Sequence, residues 1–372
     1  MGIQVPNLVF DRRNDELQLD VTQFYDRESE ERAPRLPAEW EEQSGVQLTW
    51  PHAGTDWAPM LEEVQQCFTQ IAARISHREK LLIVTPEPAK VMRQLAGQHV
   101  IMANTRFAKC RTNDTWARDH GALTLTDTRG SLLLDFKFNG WGDKFRWELD
   151  NAITRQLVDS GNLAGTYSDH QDFVLEGGSI ESDGQGTLLT TSACLLNANR
   201  NPQLNKTDIE EYLKQALHLS RILWLDHGHL DGDDTDSHVD TLARFCSPDT
   251  IAYVKCDDTS DPHYDCLQQM EQQLRTFTTL SGQPYNLLPL PMADAIVDDG
   301  ERLPATYANF LIMNGEVLYP TYAQPHNDEA ARAALAQAFP DRQITGIDCR
   351  ALIKQHGSLH CVTMQYPLGV IR

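Results

Sequence analysis

Several features are missing from this chain, and each absence narrows the reading. Its eight cysteines are scattered over 372 residues with no Cys-x-x-Cys pair. Neither a redox motif nor a disulfide-stapled scaffold is expected, and reduced cytoplasmic thiols are the default. No apolar run reaches the length of a membrane-spanning helix. Met1-Gly-Ile-Gln-Val-Pro6 lacks a basic region followed by an apolar one, so no secretory leader is expected. Pro6 also breaks the myristoylation pattern that Met1-Gly2 begins. There is no glycine-rich phosphate loop of the dinucleotide or nucleoside-triphosphate type. Positive charge is scarce: 32 Lys and Arg stand against 53 Asp and Glu, a formal net charge of −21. That balance argues against nucleic acid or an anionic membrane as partner and suits a small cationic ligand. An oligomer of identical chains is left open.

What is present is a recurring order of elements. Residues 1–37 read as an N-terminal extension, with the charge run Arg27-Glu-Ser-Glu-Glu-Arg32 ending at Pro34 and Pro37. Residues 38–372 read as one α/β domain. Val46–Trp50 is an expected strand, followed by a helix capped by Asp56 whose apolar face is Met60, Leu61, Val64, Cys67, Phe68 and Ile71. Lys80–Thr85 is the next strand, and Ala89–Ala96 a short helix. Gly121–Thr126 and Ser131–Phe136 form a hairpin, with a helix near 147–159. Strands are expected at Phe173–Leu175, Ser179–Ile180 and Thr187–Thr190, then a helix over Thr207–Leu217 with Thr207 or Asp208 as cap. His238–Cys246 and Thr250–Lys255 are paired strands before a helix over 261–279. Thr306–Met313 and Glu316–Tyr319 precede a helix over Asp328–Phe339, and Leu359–Gln365 is the last strand. About five strand–turn–strand–helix units follow one another. Hairpin turns favour antiparallel or mixed pairing over a doubly wound parallel sheet. Five units closing on an axis make an α/β propeller with a central pocket.

Four stretches carry more polar chemistry than packing requires. The densest is residues 227–240, with three histidines and five aspartates in fourteen positions. On a strand His238 and Asp240 would share a face, with Val239 buried on the other. Asp231 and Asp233 read as a solvated acidic loop, and a metal site is a further reading of the same stretch. The second stretch is Asn113-Asp-Thr-Trp116-Ala-Arg-Asp119-His-Gly121, where Trp116 reads equally as core. The third is Glu176-Gly-Gly-Ser179, whose paired glycines admit a close approach of backbone. The fourth is Gly357-Ser-Leu-His-Cys361. A cysteine in an apolar strand is usually an inert thiol, but Cys361 follows a histidine and a glycine-containing loop.

These stretches, with Trp50-Pro51, Phe138-Asn-Gly-Trp141-Gly142, Thr235-Asp-Ser-His238-Val-Asp240 and Tyr307-Ala-Asn-Phe310, fall in one order. In that order the chain resembles the agmatine deiminase and bacterial peptidylarginine deiminase family of guanidine-modifying enzymes, from about Leu36 to the C-terminus. It departs from the family where Gln355-His-Gly-Ser-Leu replaces a triple-glycine approach to the His-Cys pair. The resemblance implies a five-bladed, pentein-like α/β propeller and a hydrolase of amidine carbon–nitrogen bonds that needs no metal or cofactor. It implies Cys361 as nucleophile and His238 as general acid and base. Asp119, Glu176 and Asp240 would hold the guanidinium and orient His238, Asp234 would contact substrate, and Trp116 would wall the pocket. The expected substrate is agmatine, giving N-carbamoylputrescine and ammonia on a route to putrescine. Free or peptidyl arginine is the alternative, with Arg118 and Arg146 as candidate partners for an arginine α-carboxylate. A metal-dependent hydrolase built on the 227–240 stretch is the reading from a different class.

Overall fold

The computed structural model describes residues 8–11, 16–19 and 34–372. Most of the expected extension therefore lies outside the described residues. Within it, Leu8–Asp11 pairs antiparallel with Glu16–Leu19. Residues 34–37 are described: Leu36 is buried, and the Arg35 backbone pairs with Thr126.

Five sheets share one construction. In each, two strands pair antiparallel, a helix follows, and a third strand returns parallel to the second. The second unit joins Leu123–Asp127, Gly130–Lys137 and Thr166–Val174. The third joins Ile180–Ser182, Thr187–Thr191 and Arg221–Leu225. The fourth joins Ala243–Ser247, Thr250–Lys255 and Asn286–Pro291, and the fifth Leu311–Met313, Glu316–Thr321 and Gln343–Asp348. The first unit is assembled from both ends of the chain. Its opening strand is the last one, Thr363–Pro367, antiparallel to Gln43–Thr49; Lys80–Thr85 and Thr105–Lys109 follow in parallel. This closure makes the five-bladed α/β propeller that the order of elements implies. A parallel return needs a crossover, and helices supply it in every unit: Leu61–Arg78, Ile153–Asp159, Lys206–Ala216, Tyr264–Leu274 and Pro325–Ala338.

Local sequence explains these elements. Val64, Cys67, Phe68, Ile71, Ala72 and Ile75 line one face of Leu61–Arg78 and are buried. Asp56 does not cap this helix; a 3₁₀ turn, Ala58–Met60, leads into it. Asn205, two residues ahead of Thr207 and three ahead of Asp208, the expected caps, begins Lys206–Ala216 through a reciprocal capping box with Asp208. Asp127 closes the first hairpin by accepting from the amides of Arg129 and Gly130 at 2.7 and 3.0 Å. The third strand of the third, fourth and fifth units was not expected, because these strands are short and partly exposed at one end. Among the described residues no helix is long and apolar enough to cross a membrane.

One correction recurs. The strands expected from His238, Thr306 and Leu359 begin only at Ala243, Leu311 and Thr363. In each case the leading residues form turns held by side-chain hydrogen bonds, and those turns carry the site.

Candidate active site

The entries to the five opening strands converge on the axis. Asp119 lies on the short turn Ala117–His120 before Leu123. Glu176 precedes the 3₁₀ turn Gly177–Ser179. His238 and Asp240 flank Val239 on the 3₁₀ turn ahead of Ala243. Asn309 stands two residues before Leu311, and Cys361 two before Thr363.

His238 and Asp240 therefore do not alternate on a strand, as the sequence suggested. The backbone before them is left-handed at Asp236 (φ 65°) and Ser237 (φ 69°). Asp233 holds this bend. Its Oδ1 accepts from Thr235 Oγ1 at 2.5 Å, and its Oδ2 from the Ser237 amide at 2.7 Å. Thr235 Oγ1 then accepts the His238 amide at 3.1 Å. Asp233 is thus a structural carboxylate rather than a solvated one, whereas Asp231 is exposed as expected.

Gly178 shows how tightly the side chains meet. A Cβ built there would lie 2.6 Å from His238 Nδ1, 2.8 Å from Asp119 Oδ1 and 3.1 Å from Asp240 Oδ2. Its backbone torsion is unremarkable; the glycine is required by space. Its amide donates to Asp119 Oδ1 at 3.0 Å, and Trp141 Nε1 donates to Asp119 Oδ2 at 3.0 Å. Trp116 packs on Trp141 with ring centroids 6.1 Å apart, and Gly357 lies flat against its indole.

Cys361 is buried. Its thiol donates to Asn309 Oδ1 at 3.4 Å, an oxygen that also accepts the His360 and Cys361 amides at 2.8 and 3.3 Å. Burial, then the Asp240 and Asp119 carboxylates, push the Cys361 thiol well above the ordinary thiol range. Burial brings His238 down to about 3. Burial, Asp240 and Glu176 together raise Asp119 well above the usual carboxylate range. Burial works against the Asp240 charge, but its hydrogen bond to His360 holds its carboxyl below the ordinary range.

Among the described residues, Asp240 Oδ1, His238 Nε2, Glu176 Oε2 and, in the cleft wall, Asp114 Oδ1 are buried without a hydrogen-bond partner. Unpaired buried acceptors are costly, so they mark where a ligand's donors belong. Glu176 is half occupied, because Arg200 Nε donates to its Oε1 at 2.6 Å. A cleft of about 400 Å³ opens from Cys361 and Asp119 outward past Trp116 and Trp141. Asp56, Asp114 and Asp234 also line it, and among the described residues no Arg or Lys does. Burial, reinforced by Asp56, moves Asp114 up to about 7.

The histidines of the 227–240 stretch do not gather around one point. His229 groups with Asp231 and His263, while His238 groups with Glu176 and Cys194. The latter set fits a metal poorly: Arg200 already pairs with Glu176, and burial holds the Cys194 thiol well above its ordinary range.

All seven residues singled out from sequence are in or against this site. Glu176 differs from expectation in being shared with Arg200. Asn309, Arg200 and Gly178 were missed as site residues. Asn309 had a signal, standing as far ahead of its strand as Cys361 does of the last one. Arg200 had none, lying in an irregular segment after Thr187–Thr191.

Residues 35–367 match the family described as Porphyromonas-type peptidyl-arginine deiminase. A "Putative agmatine deiminase" of Marinomonas sp. is 33% identical over 356 residues, covering 90% of this chain and 94% of that one. Among solved structures, a C. jejuni agmatine deiminase with substrate bound superposes with a TM-score of 0.84 at 39% identity, covering 91% of this chain and 98% of that chain. A "Putative Arginine Deiminase" from Porphyromonas gingivalis superposes with a TM-score of 0.87 at 52% identity, covering 91% and 100%.

Proposed function

The chain belongs to the Porphyromonas-type peptidyl-arginine deiminase family and is a hydrolase of amidine carbon–nitrogen bonds; we propose that its substrate is agmatine. The observation that carries this reading is the charge pattern along the cleft. Asp240 and Glu176, each with one carboxylate oxygen unpartnered among the described residues, crowd Asp119 of the cleft lining, and Asp56, Asp114 and Asp234 line the cleft with it. Agmatine is cationic at both ends. A guanidinium presents coplanar N–H donors that carboxylates accept in pairs, and its far ammonium suits the acidic rim.

In this reading Asp119 and Asp240 receive the guanidinium and Glu176 stands beside His238. Trp116 walls the site and Asp234 contacts the distal end. Arrival of the cation reverses the electrostatics that keep Cys361 protonated. The thiol proton passes to His238, and the thiolate adds to the guanidinium carbon. His238 returns the proton to one amino group, the carbon–nitrogen bond breaks, and ammonia leaves an amidino-cysteine. Water then adds to that carbon as His238 takes its proton. Cleavage of the carbon–sulfur bond releases N-carbamoylputrescine and frees Cys361. The product is one hydrolysis short of putrescine.

Free arginine is a second reading, favoured by the name of the P. gingivalis relative. It needs a cation for its carboxylate, and neither expected partner lines the cleft. Arg118 is buried with its Nε against the His360 carbonyl at 3.5 Å, and Arg146 is exposed and, although next to Phe145 of the cleft, is not among the lining residues. The test is ammonia release from agmatine, arginine and a blocked arginine peptide, with Cys361→Ala and a chelator as controls. Agmatine turnover that dominates the other two, vanishes in Cys361→Ala and ignores chelator is expected. Equal use of arginine refutes the assigned substrate. Activity that survives Cys361→Ala but not chelator transfers the chemistry to a metal.

A further inference from the structure

Glu39 takes no part in the steps above, yet its carboxylate meets every unit of the ring. Its Oε1 accepts the Ile312 amide of the fifth unit at 2.7 Å. Its Oε2 accepts Arg244 Nη2 of the fourth at 3.0 Å and His360 Nε2, beside the closing strand, at 2.8 Å. Arg118 Nη2, at the entry to the second, is 3.9 Å from the same oxygen. Glu181 of the third lies within 4.8 Å of the Glu39 and His360 donor atoms. Glu39 does not line the substrate cleft. It reaches the axis from a separate cavity of about 660 Å³, walled by Leu36–Gln43 together with Arg118 and Glu181.

His360 joins this carboxylate to the site. Its Nδ1 is 2.8 Å from Asp240 Oδ2 and its Nε2 is 2.8 Å from Glu39 Oε2. Ionised carboxylates only accept, so both contacts form when both ring nitrogens carry hydrogen. Arg244 Nη2, which carries two hydrogens, donates to Glu39 Oε2 and stands 3.1 Å from the same Nε2; the shorter 2.8 Å contact between Nε2 and the acceptor-only Glu39 Oε2 is the one that calls for hydrogen on Nε2. Burial works against the Glu39 charge, but His360, Arg244 and Arg118 hold its carboxyl well below the ordinary range. Asp240 is left with one oxygen tied to His360 and one free.

We propose that Glu39 is a positioning residue for guanidinium capture: it keeps His360 a double donor, and His360 in turn keeps Asp240 ionised with Oδ1 turned to the substrate. This rests on the reading of Asp240 as a guanidinium carboxylate. In Glu39→Gln the amide oxygen keeps the Ile312 amide, so the NH₂ faces His360 Nε2. That nitrogen can then only accept, His360 becomes neutral, and Asp240 loses the cation beside it.

The test has two arms. Nitrogen NMR of the full-length chain carrying ¹⁵N-histidine, with His360 identified by loss of its signals in His360→Asn, reads the charge directly. Near neutral pH the wild type is expected to show both His360 nitrogens protonated, and Glu39→Gln one bare nitrogen. A bare nitrogen in the wild type overturns the proposal, and this arm needs neither turnover nor a folded Glu39→Gln. In the kinetic arm, Glu39→Gln is expected to raise the KM for agmatine about tenfold or more, as losing a charge-assisted contact implies, with a smaller change in kcat. A folded Glu39→Gln with wild-type KM also overturns it. Absence of turnover in the wild type on any guanidine sinks the reading of the site, while the nitrogen signals still decide whether Glu39 sets the charge of His360.

Discussion

Arg118 and Asp119 are consecutive on one turn, yet they face two regions with opposite electrostatics. Arg118 faces the network around Glu39, where buried carboxylates meet buried cations. There Arg244 donates to Glu39, to Glu181 and to the carbonyls of Ala308 and Phe310. Asp119 faces the cleft, where Asp240, Asp119 and Glu176 crowd together; Arg200 pairs with Glu176 and His360 with Asp240, and each of those two carboxylates keeps one oxygen without a partner among the described residues. A buried carboxylate is tolerable when paired and costly when not. In the axis network each carboxylate has a cation from the chain beside it; in the proposed reading the cleft takes its balancing positive charge from the substrate. The contrast teaches that the identity of the ligand is written in what the cleft leaves unpaired.

Removing a cation from the complete side should have the largest effect. Arg244→Met strips Glu181 of its paired cation and leaves Glu39 with only His360 and Arg118, and is expected to cost about 3–5 kcal/mol of stability, measured by denaturant unfolding. On the open side, Asp234→Asn should cost less than about 1 kcal/mol while raising the KM for agmatine. Equal stability losses in the two variants would erase the contrast.

Filling the point where the cleft groups meet comes next. Gly178→Ala places a methyl against His238 and Asp119. It is expected to lower kcat/KM by about 10²-fold through misplacement of the reacting groups. Near-native turnover in a folded Gly178→Ala would mean that these side chains do not act from the positions described.

The smallest effect concerns the resting thiol. Because the folded Cys361 thiol is pushed up, the thiolate form is depleted at neutral pH and grows as pH rises above the ordinary thiol range. Alkylation of Cys361 by iodoacetamide near neutral pH should run about tenfold or more below that of a free thiol. It should accelerate in Asp240→Asn, where one of the two opposing charges is gone. Mass spectrometry of the labelled peptide reads both rates. A fast, pH-independent reaction in the wild type would show that the empty cleft is not short of positive charge.

Local order was legible before any coordinates. Lys80–Thr85 and the hairpin around Asp127–Gly130 follow from alternation and turn chemistry, and the helix Leu61–Arg78 from its apolar spacing. Cys361, His238, Asp119, Asp240, Glu176, Trp116 and Asp234 lay in stretches with more polar chemistry than packing requires, and their roles in a site were implied by the family resemblance. The misplaced strand starts at His238, Thr306 and Leu359 share one cause. Apolar content extends through these turns, but Thr235 and Asp233 in the first, Thr306 in the second and Asn309 at the third accept backbone amides and divert them from the sheet.

The sequence by itself determined the sequence of elements, the five-fold repetition and the residue types that meet at the axis, because periodicity and turn preference act over a few residues. Only the tertiary structure decided that the last strand closes the first unit, that Arg200 takes half of Glu176, and that Glu39 reaches His360 across 321 positions of chain. Such pairings depend on which buried charges the closed ring brings within hydrogen-bond reach, and that proximity has no local signature.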